Sequence, residues 1–105
     1  MASKYQNKKT LHLGIQFDSI KEANRYQELL YMERAGLICN IELQPRYDLI
    51  VNGKKCGFYK ADFRYEKNTG ETVVEDVKSP ATKTPVYQLK KKLVKAIYDI
   101  DIQEC

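Results

Sequence analysis

One short turn constrains the fold of this chain more than any other feature. Asn68-Thr69-Gly70 separates two runs of alternating, strand-forming character, residues 59–66 and 71–78. A short loop that ends in glycine between two such runs is typical of a β-hairpin, because glycine readily takes the positive φ angle of the turn. If Lys67 and Glu71 close the loop, the numbers of paired residues add up to 138. A bulge at Gly70 would shift this register by one residue.

This register places two acidic residues opposite each other. Asp62 pairs with Asp76, and Lys78 lies on the same face as Asp76 because side chains alternate along a strand. Lys60, Asp62 and Arg64 are predicted to share one face of a single strand. Opposed like charges destabilise a hairpin. A divalent cation such as Mg²⁺ would offset the repulsion, and the Lys78 ammonium would offset part of it. The alternative is an ordinary solvated strand face.

The order of these residues resembles the motif of the PD-(D/E)XK nuclease superfamily, in which a first acid is followed by an acid-x-Lys triplet. The resemblance implies that Asp62 and Asp76 bind Mg²⁺ (or Mn²⁺), with the main-chain carbonyl of Val77 as a further ligand. It also implies that Lys78 positions or activates the attacking water. Ala61 stands where the motif has proline, at a position that varies across the superfamily.

The resemblance extends from about Lys4 to the C-terminus. The segments Phe17-Asp18-Ser19, Lys21-Glu22-Ala23 and Leu43-Gln44-Pro45 are similar to those of small phage-encoded proteins with a domain of unknown function. They are also similar to transposon-encoded endonuclease subunits and archaeal Holliday-junction resolvases. The resemblance adds Glu22, on the first helix, as a catalytic residue and candidate metal ligand. Glu22 also fits a capping box with Ser19. Gln44 is either a polar strand-end residue or faces the metal-bound water.

The remaining pattern predicts a flexible basic arm over residues 1–10 and a single α/β domain over residues 11–105. The resemblance implies a restriction-endonuclease-like αβββαβ core, a mixed central sheet flanked by two helices. Helices are predicted over residues 19–35 and 84–98, the second with Thr84 as N-cap and Pro85 at its first position. Strands, some of them short, are predicted over 11–17, 38–43, 47–51, 55–58 and near 100–102. The second helix is predicted to bury the stripe Val86, Leu89, Leu93 and Ile97, widened by Val94.

The net charge of +4 is compatible with a nucleic-acid partner. The predicted phosphate contacts lie in the arm and around the second helix: Lys8, Lys9, Lys83, Gln88, Lys91 and Lys92. A solvated helix face is the alternative for the helical lysines. The eight tyrosines are predicted at the rim of the core with solvated hydroxyls.

Several classes of protein are disfavoured. No apolar run is long enough to span a membrane, and the polar, basic N-terminus does not resemble a secretory signal. Cys39, Cys56 and Cys105 have the spacing of neither a zinc site nor a disulfide framework, which favours a reduced, cytoplasmic setting, that of the host cell if the protein is phage-encoded. The small core favours a homodimer.

Together these features predict a Mg²⁺-dependent DNA endonuclease of phage type, with branched or junction DNA as the substrate suggested by analogy. Two alternatives remain. One is a nuclease-fold module that binds DNA but has lost activity. The other is a phage protein that interacts with a host factor and carries its acids as plain surface.

Overall fold

The structure is a computed structural model that describes residues 10–105. Two hairpins, a four-stranded sheet and two α-helices make up this part of the chain. A single 3₁₀ turn, Pro80–Thr82, precedes the second helix. The elements are β1 (Thr10–His12), β2 (Ile15–Phe17), α1 (Ile20–Arg34), β3 (Ile38–Leu43), β4 (Arg46–Val51), β5 (Lys54–Lys60), β6 (Phe63–Lys67), β7 (Thr72–Asp76), α2 (Pro85–Tyr98) and β8 (Ile102–Glu104).

The central sheet has the strand order β3–β6–β7–β8. β6 is antiparallel to both of its neighbours, whereas β8 runs parallel to β7, so the sheet is mixed. A parallel pair needs a long crossover connection, and α2 provides it. Without the hairpins β1–β2 and β4–β5, the element order is α-β-β-β-α-β. The predicted α/β class, with a mixed sheet and two helices, is therefore confirmed.

Each helix packs against its own side of the sheet. Phe63 and Val73 belong to a core cluster with Leu29 of α1. Val74 belongs to a second cluster with Val94 of α2, to which the β4–β5 hairpin also contributes. Val73 and Val74 are neighbours in one strand, and alternation directs them to opposite faces. The sheet therefore carries two small cores, and the face that a strand residue occupies decides which helix it meets.

The predicted register of the β6–β7 hairpin is confirmed. Phe63 pairs with Glu75 and Glu66 pairs with Thr72. The Lys67 N–H donates to the Glu71 carbonyl over 2.8 Å and closes the loop. Gly70 takes a φ of 92°, which a residue with a side chain rarely adopts. No register shift occurs between the two strands, so the bulge considered above is absent from this hairpin.

Both predicted helices are confirmed, but the predicted apolar stripe of α2 is wrong at its N-terminal half. Thr84 caps the helix and Pro85 begins it. Val86 and Leu89 are 62 % and 58 % exposed, whereas Tyr87 is buried. The surface that this turn covers carries charged groups, and a tyrosine can cover them and satisfy them where valine cannot. Leu93, Val94 and Ile97 pack against the core as predicted.

The predicted strand over residues 59–66 is in fact divided between two sheets. Tyr59 and Lys60 end β5, and β6 begins at Phe63. The connecting Ala61 N–H donates to the Pro45 carbonyl over 3.1 Å, and the Asp62 N–H donates to the Glu75 carbonyl over 3.0 Å. The chain thus changes pairing partner between these two residues. Lys60 consequently does not share a strand with Arg64.

Two smaller differences concern the ends of the chain. Residues 11–17 form a hairpin rather than one strand, because Leu13 and Gly14 take φ angles of 52° and 80° and reverse the chain. The closing strand begins at Ile102, beyond Ile100. Neither helix in residues 10–105 is long and apolar enough to cross a membrane.

Candidate active site

Asp62 and Asp76 meet where the chain enters β6 and leaves β7. Their carboxyl groups lie within hydrogen-bonding reach of each other. Asp76 is only 3 % exposed. The Val77 N–H donates to Asp62 Oδ2 over 2.7 Å, and the Tyr59 hydroxyl donates to Asp76 Oδ2. The register predicted from the turn therefore does bring these two acids together.

The environment of the pair disfavours two negative charges. Burial raises the pKa of Asp62 well above its usual range, and the hydrogen bond to Asp76 and the charge of Asp76 raise it further. The Val77 N–H opposes this shift because it stabilises the charged form. Asp62 consequently retains its proton at neutral pH in the metal-free protein.

Lys78 is held beside the pair by contacts on several sides. Its Nζ lies 3.4 Å from Asp76 Oδ1 and 4.2 Å from the centroid of the Tyr87 ring. The Lys21 Nζ donates to the Lys78 carbonyl over 2.6 Å. The Lys78 side chain is 18 % exposed, so it is screened on most sides yet open to a ligand. In residues 10–105, Lys78 makes the single salt bridge to either aspartate.

Glu22 adds a third acid on the neighbouring helix. Its main-chain N–H donates to Ser19 Oγ over 3.0 Å, which is one half of a capping box. The reciprocal bond, in which the Ser19 N–H would donate to the Glu22 carboxylate, is not made within the described residues. Burial raises the pKa of Glu22 to about 7, with further contributions from the charges of Asp18 and Asp76. The charge of Asp76 therefore acts on the Glu22 carboxylate, while the Glu22 main chain takes part in the helix cap.

Gln44 acts through its backbone. The Gln44 N–H donates to the Asp62 carbonyl over 2.9 Å, at a φ of 52°. Its side chain is exposed. The residue thus fixes the main chain of Asp62, and a side-chain role toward a metal-bound water stays a prediction.

The donors present suit a hard divalent cation. No group of three or more His, Cys, Asp or Glu side chains within residues 10–105 is arranged to hold a metal ion. Mg²⁺, however, commonly uses one or two carboxylates and keeps several waters. The two adjoining carboxyl groups meet that requirement. Asp62 and Asp76 therefore fit the cation, with the Val77 carbonyl as the additional ligand that the motif implies.

Two of the lysines predicted to contact phosphate form salt bridges with Glu104. Lys83 Nζ lies 3.1 Å and Lys91 Nζ 3.2 Å from the Glu104 carboxylate. The Tyr87 hydroxyl also donates to Glu104, and these hydrogen bonds lower the pKa of Glu104 to about 2. Gln88 donates to the Lys83 carbonyl over 3.4 Å. Glu104 thus neutralises part of the positive charge on this side of α2.

Lys92, Lys8 and Lys9 were also predicted to contact phosphate, and these contacts stay predictions. Lys92 lines the same groove as Lys83, Gln88, Lys91 and Lys95. Lys8 and Lys9 lie outside the described residues.

The comparisons with known proteins identify one relationship. The family model described as protein of unknown function (DUF1064) matches residues 2–103. The chain belongs to the DUF1064 family. Searches among curated proteins and solved structures gave no match.

Sequence reasoning missed how this DUF1064 protein uses its tyrosines. The predicted solvated hydroxyls are wrong for three of them, which are buried and donate to carboxylates: Tyr59 to Asp76, Tyr65 to Glu75 and Tyr87 to Glu104. Burial first, and then the acceptor carboxylate, raises the pKa of each phenol, so all three remain neutral donors. The available signal was general: a tyrosine can be buried when its hydroxyl has a hydrogen-bond partner. The prediction of rim positions left this out.

A second acidic residue was also missed. Glu75 is 3 % exposed and faces α1, where Arg25 binds both of its oxygens over 2.8 and 2.6 Å. Burial alone would raise the pKa of Glu75, but the hydrogen bonds from Arg25 and Tyr65 outweigh it and lower the pKa. Alternation along β7 placed Glu75 on the face opposite Asp76, which was the available signal.

Proposed function

We propose that this DUF1064 protein is a metal-dependent DNA endonuclease with Asp62, Asp76 and Lys78 as its catalytic residues. The observation that carries the proposal is the contact between the Asp62 and Asp76 carboxyl groups, with the Lys78 Nζ 3.4 Å from Asp76 Oδ1. Perturbed acids of this kind concentrate at functional sites, because a fold gains nothing from a strained like-charge pair. Glu22 is proposed as an auxiliary acid on the helix side.

The contrast with Glu75 strengthens the proposal. Glu75 is a buried acid whose charge is matched by a bidentate arginine, which is how a purely structural carboxylate is accommodated. Asp62, Asp76 and Glu22, by contrast, together receive a single salt bridge among the described residues, that of Lys78 to Asp76. That excess of acid favours a cation-binding role over a structural one.

The proposed division of labour follows from the contacts. A bound Mg²⁺ or Mn²⁺ supplies Lewis-acid polarisation of the phosphate and a water of lowered pKa. Asp62 and Asp76 would bind the metal ion, and Tyr59 fixes the orientation of Asp76 through its hydroxyl. Lys78 is held by the Tyr87 ring in a position to orient the attacking water or to stabilise charge on the phosphate. The α-β-β-β-α-β order supports assignment to the restriction-endonuclease-like fold.

The proposed partner is DNA, with junction DNA suggested only by the resemblance to resolvases. The test is incubation of the wild-type protein with linear, nicked and four-way-junction DNA in Mg²⁺ or Mn²⁺. We expect product in either metal and none with EDTA or in Asp76→Ala. The matched control is Asp101→Ala, which removes an aspartate with 73 % of its side chain exposed and should cleave like the wild type. Wild type that cuts none of these substrates, or Asp76→Ala that cuts as well as wild type, would rule the proposal out.

A second candidate function is a DNA-binding module without catalysis. The lack of a ready-made group of three metal-binding side chains in the described residues favours it. Under this alternative, wild type and Asp76→Ala bind DNA equally and neither cuts. Homodimer formation and a cytoplasmic location in the host stay predictions of the proposal.

A further inference from the structure

A shallow groove of about 260 Å³ opens directly beside the proposed site. Its floor includes Asp76 and Lys78, and one wall is formed by the first turns of α2. The other wall belongs to β5, where Phe58 and Lys60 line the groove. A nucleic acid whose phosphate reaches Asp76 and Lys78 through this groove lies beside the β5 wall.

The β5 wall carries an accessible aromatic ring. Phe58 is 38 % exposed and lines the groove. The Arg46 guanidinium lies 4.0 Å from the ring centroid and is itself held by Asp48 at 3.3 Å. A ring and a stacked guanidinium form a flat platform, and both planes are surfaces on which nucleobases stack.

Two lysine ammonium groups lie beside this platform. Lys90 Nζ lies 5.5 Å from the Phe58 ring centroid, and Lys60 flanks the ring along the strand. Within residues 10–105, neither lysine has a carboxylate within salt-bridge distance. Lys83 and Lys91, on the other side of α2, are both bound to Glu104. Among the described residues, Lys60 and Lys90 thus bring unpaired positive charge to the groove, while Lys92 brings it to the Glu104 side of α2.

We propose that this groove binds an unpaired nucleotide of single-stranded DNA, with its base stacked on Phe58 and Arg46 and its phosphates near Lys60 and Lys90. In a duplex both faces of each base are covered by its neighbours, so a duplex cannot use the platform. The groove therefore selects DNA with a single-stranded segment at the bond to be cut. The link to cleavage rests on the proposed nuclease activity, whereas the binding itself does not.

The test measures, by fluorescence anisotropy in EDTA, the binding of a labelled single strand and of a labelled blunt duplex of the same sequence. Phe58→Ala is expected to weaken single-strand binding on the order of tenfold and to leave duplex binding within about twofold. Phe58→Trp, which keeps an aromatic ring, should bind the single strand about as tightly as wild type. The matched control is Tyr31→Ala, because Tyr31 is an aromatic residue of α1, 59 % exposed and outside the groove.

Salt dependence separates the two kinds of contact. Lys90→Ala should reduce the slope of log affinity against log salt by about 0.7, the value for one phosphate contact to a single strand, while Phe58→Ala should leave the slope unchanged. Melting temperatures close to that of the wild type would show that the variants are folded.

The outcomes distinguish this inference from the nuclease proposal. If wild type cuts no DNA yet shows Phe58-dependent binding of the single strand, catalysis fails and the groove assignment stands. If wild type cuts DNA but Phe58→Ala binds the single strand as tightly as wild type, the groove assignment is overturned. It is overturned equally if wild type does not bind the single strand, or if Phe58→Ala weakens both DNAs alike.

Discussion

Replacing Asp62 with asparagine is expected to make the metal-free protein more stable while it removes catalysis. Asparagine keeps an oxygen to accept the Val77 N–H bond of 2.7 Å and gains an amide that can donate to Asp76. The like-charge contact disappears. We expect a gain of about 1–2 kcal/mol in the free energy of unfolding near neutral pH, together with a loss of cleavage on the order of a thousandfold.

The stability gain should depend on pH with a definite sign. The folded-state pKa of Asp62 is raised, so above an unfolded pKa of about 4 the folded protein retains a proton that the unfolded chain has released. Wild-type stability from this group therefore falls as pH rises from about 4 toward the folded pKa. Asp62→Asn has no such loss, and its advantage should grow across that window.

Thermal unfolding in EDTA at a series of pH values measures this effect. Asp48→Asn is the control, since Asp48 is an aspartate with 43 % of its side chain exposed, salt-bridged to Arg46 and Lys55. It should lose a little stability or none. An Asp62→Asn protein that is less stable than wild type at every pH would mean that the aspartate pair is a structural hydrogen bond and not a strained acid cluster.

Removing Arg25 is expected to be the most destabilising single change on the surface of α1. Arg25 supplies two of the hydrogen bonds to Glu75, and without it a carboxylate that is 3 % exposed keeps its Tyr65 partner but no counter-charge. Breaking a buried pair in this way costs about 3–5 kcal/mol. Arg25 itself has 24 % of its side chain exposed, so water moderates the cost and we expect about 2–4 kcal/mol for Arg25→Ala.

Urea unfolding of wild type, Arg25→Ala and Arg34→Ala measures this cost. Arg34 lies in the last turn of the same helix and is exposed, so its removal should cost about 0.5 kcal/mol. The double variant Arg25→Leu with Glu75→Leu should recover most of the stability, because it leaves no buried charge. Equal losses for Arg25→Ala and Arg34→Ala would show that the pair does not stabilise the fold.

The pH dependence of the Arg25 effect has the opposite sign to that of Asp62. The pKa of Glu75 is lowered in the folded protein, so its stabilising contribution is present above the unfolded pKa of about 4.3 and is lost as pH falls through the folded pKa. The difference between wild type and Arg25→Ala should therefore shrink in acid. The folded protein thus contains two acids with opposite pKa shifts: the pKa of Glu75 on β7 is lowered and that of Asp62, just before β6, is raised.

The turn chemistry made the β6–β7 register predictable from sequence. Gly70 needs the positive φ that it takes, and the Lys67–Glu71 closure then fixes every pair along the hairpin. The helix starts were predictable for the same local reason, since Ser19 and Thr84 cap the N-termini through their hydroxyl groups. These features depend on a few neighbouring residues and not on the rest of the fold.

The features that could not be predicted depend on contacts distant in sequence. The break at Ala61–Asp62 arises because Pro45, in another hairpin, accepts the Ala61 N–H. Tyr87 replaces Val86 on the core side of α2 because Lys78 and Glu104 lie there. The Arg25–Glu75 pair joins a helix and a strand fifty residues apart. Periodicity within one segment carries no information about such partners.

Binding of Mn²⁺ to the metal-free protein, counted by electron paramagnetic resonance, tests the central claim most directly. We expect one Mn²⁺ per chain, bound more tightly at about pH 8 than at about pH 6 because the aspartate pair must release its proton. The Asp62→Asn protein should bind none at this site, while Asp48→Asn binds as wild type does. No Mn²⁺ bound by wild type with or without DNA, or equal binding by wild type and Asp62→Asn, would contradict the account.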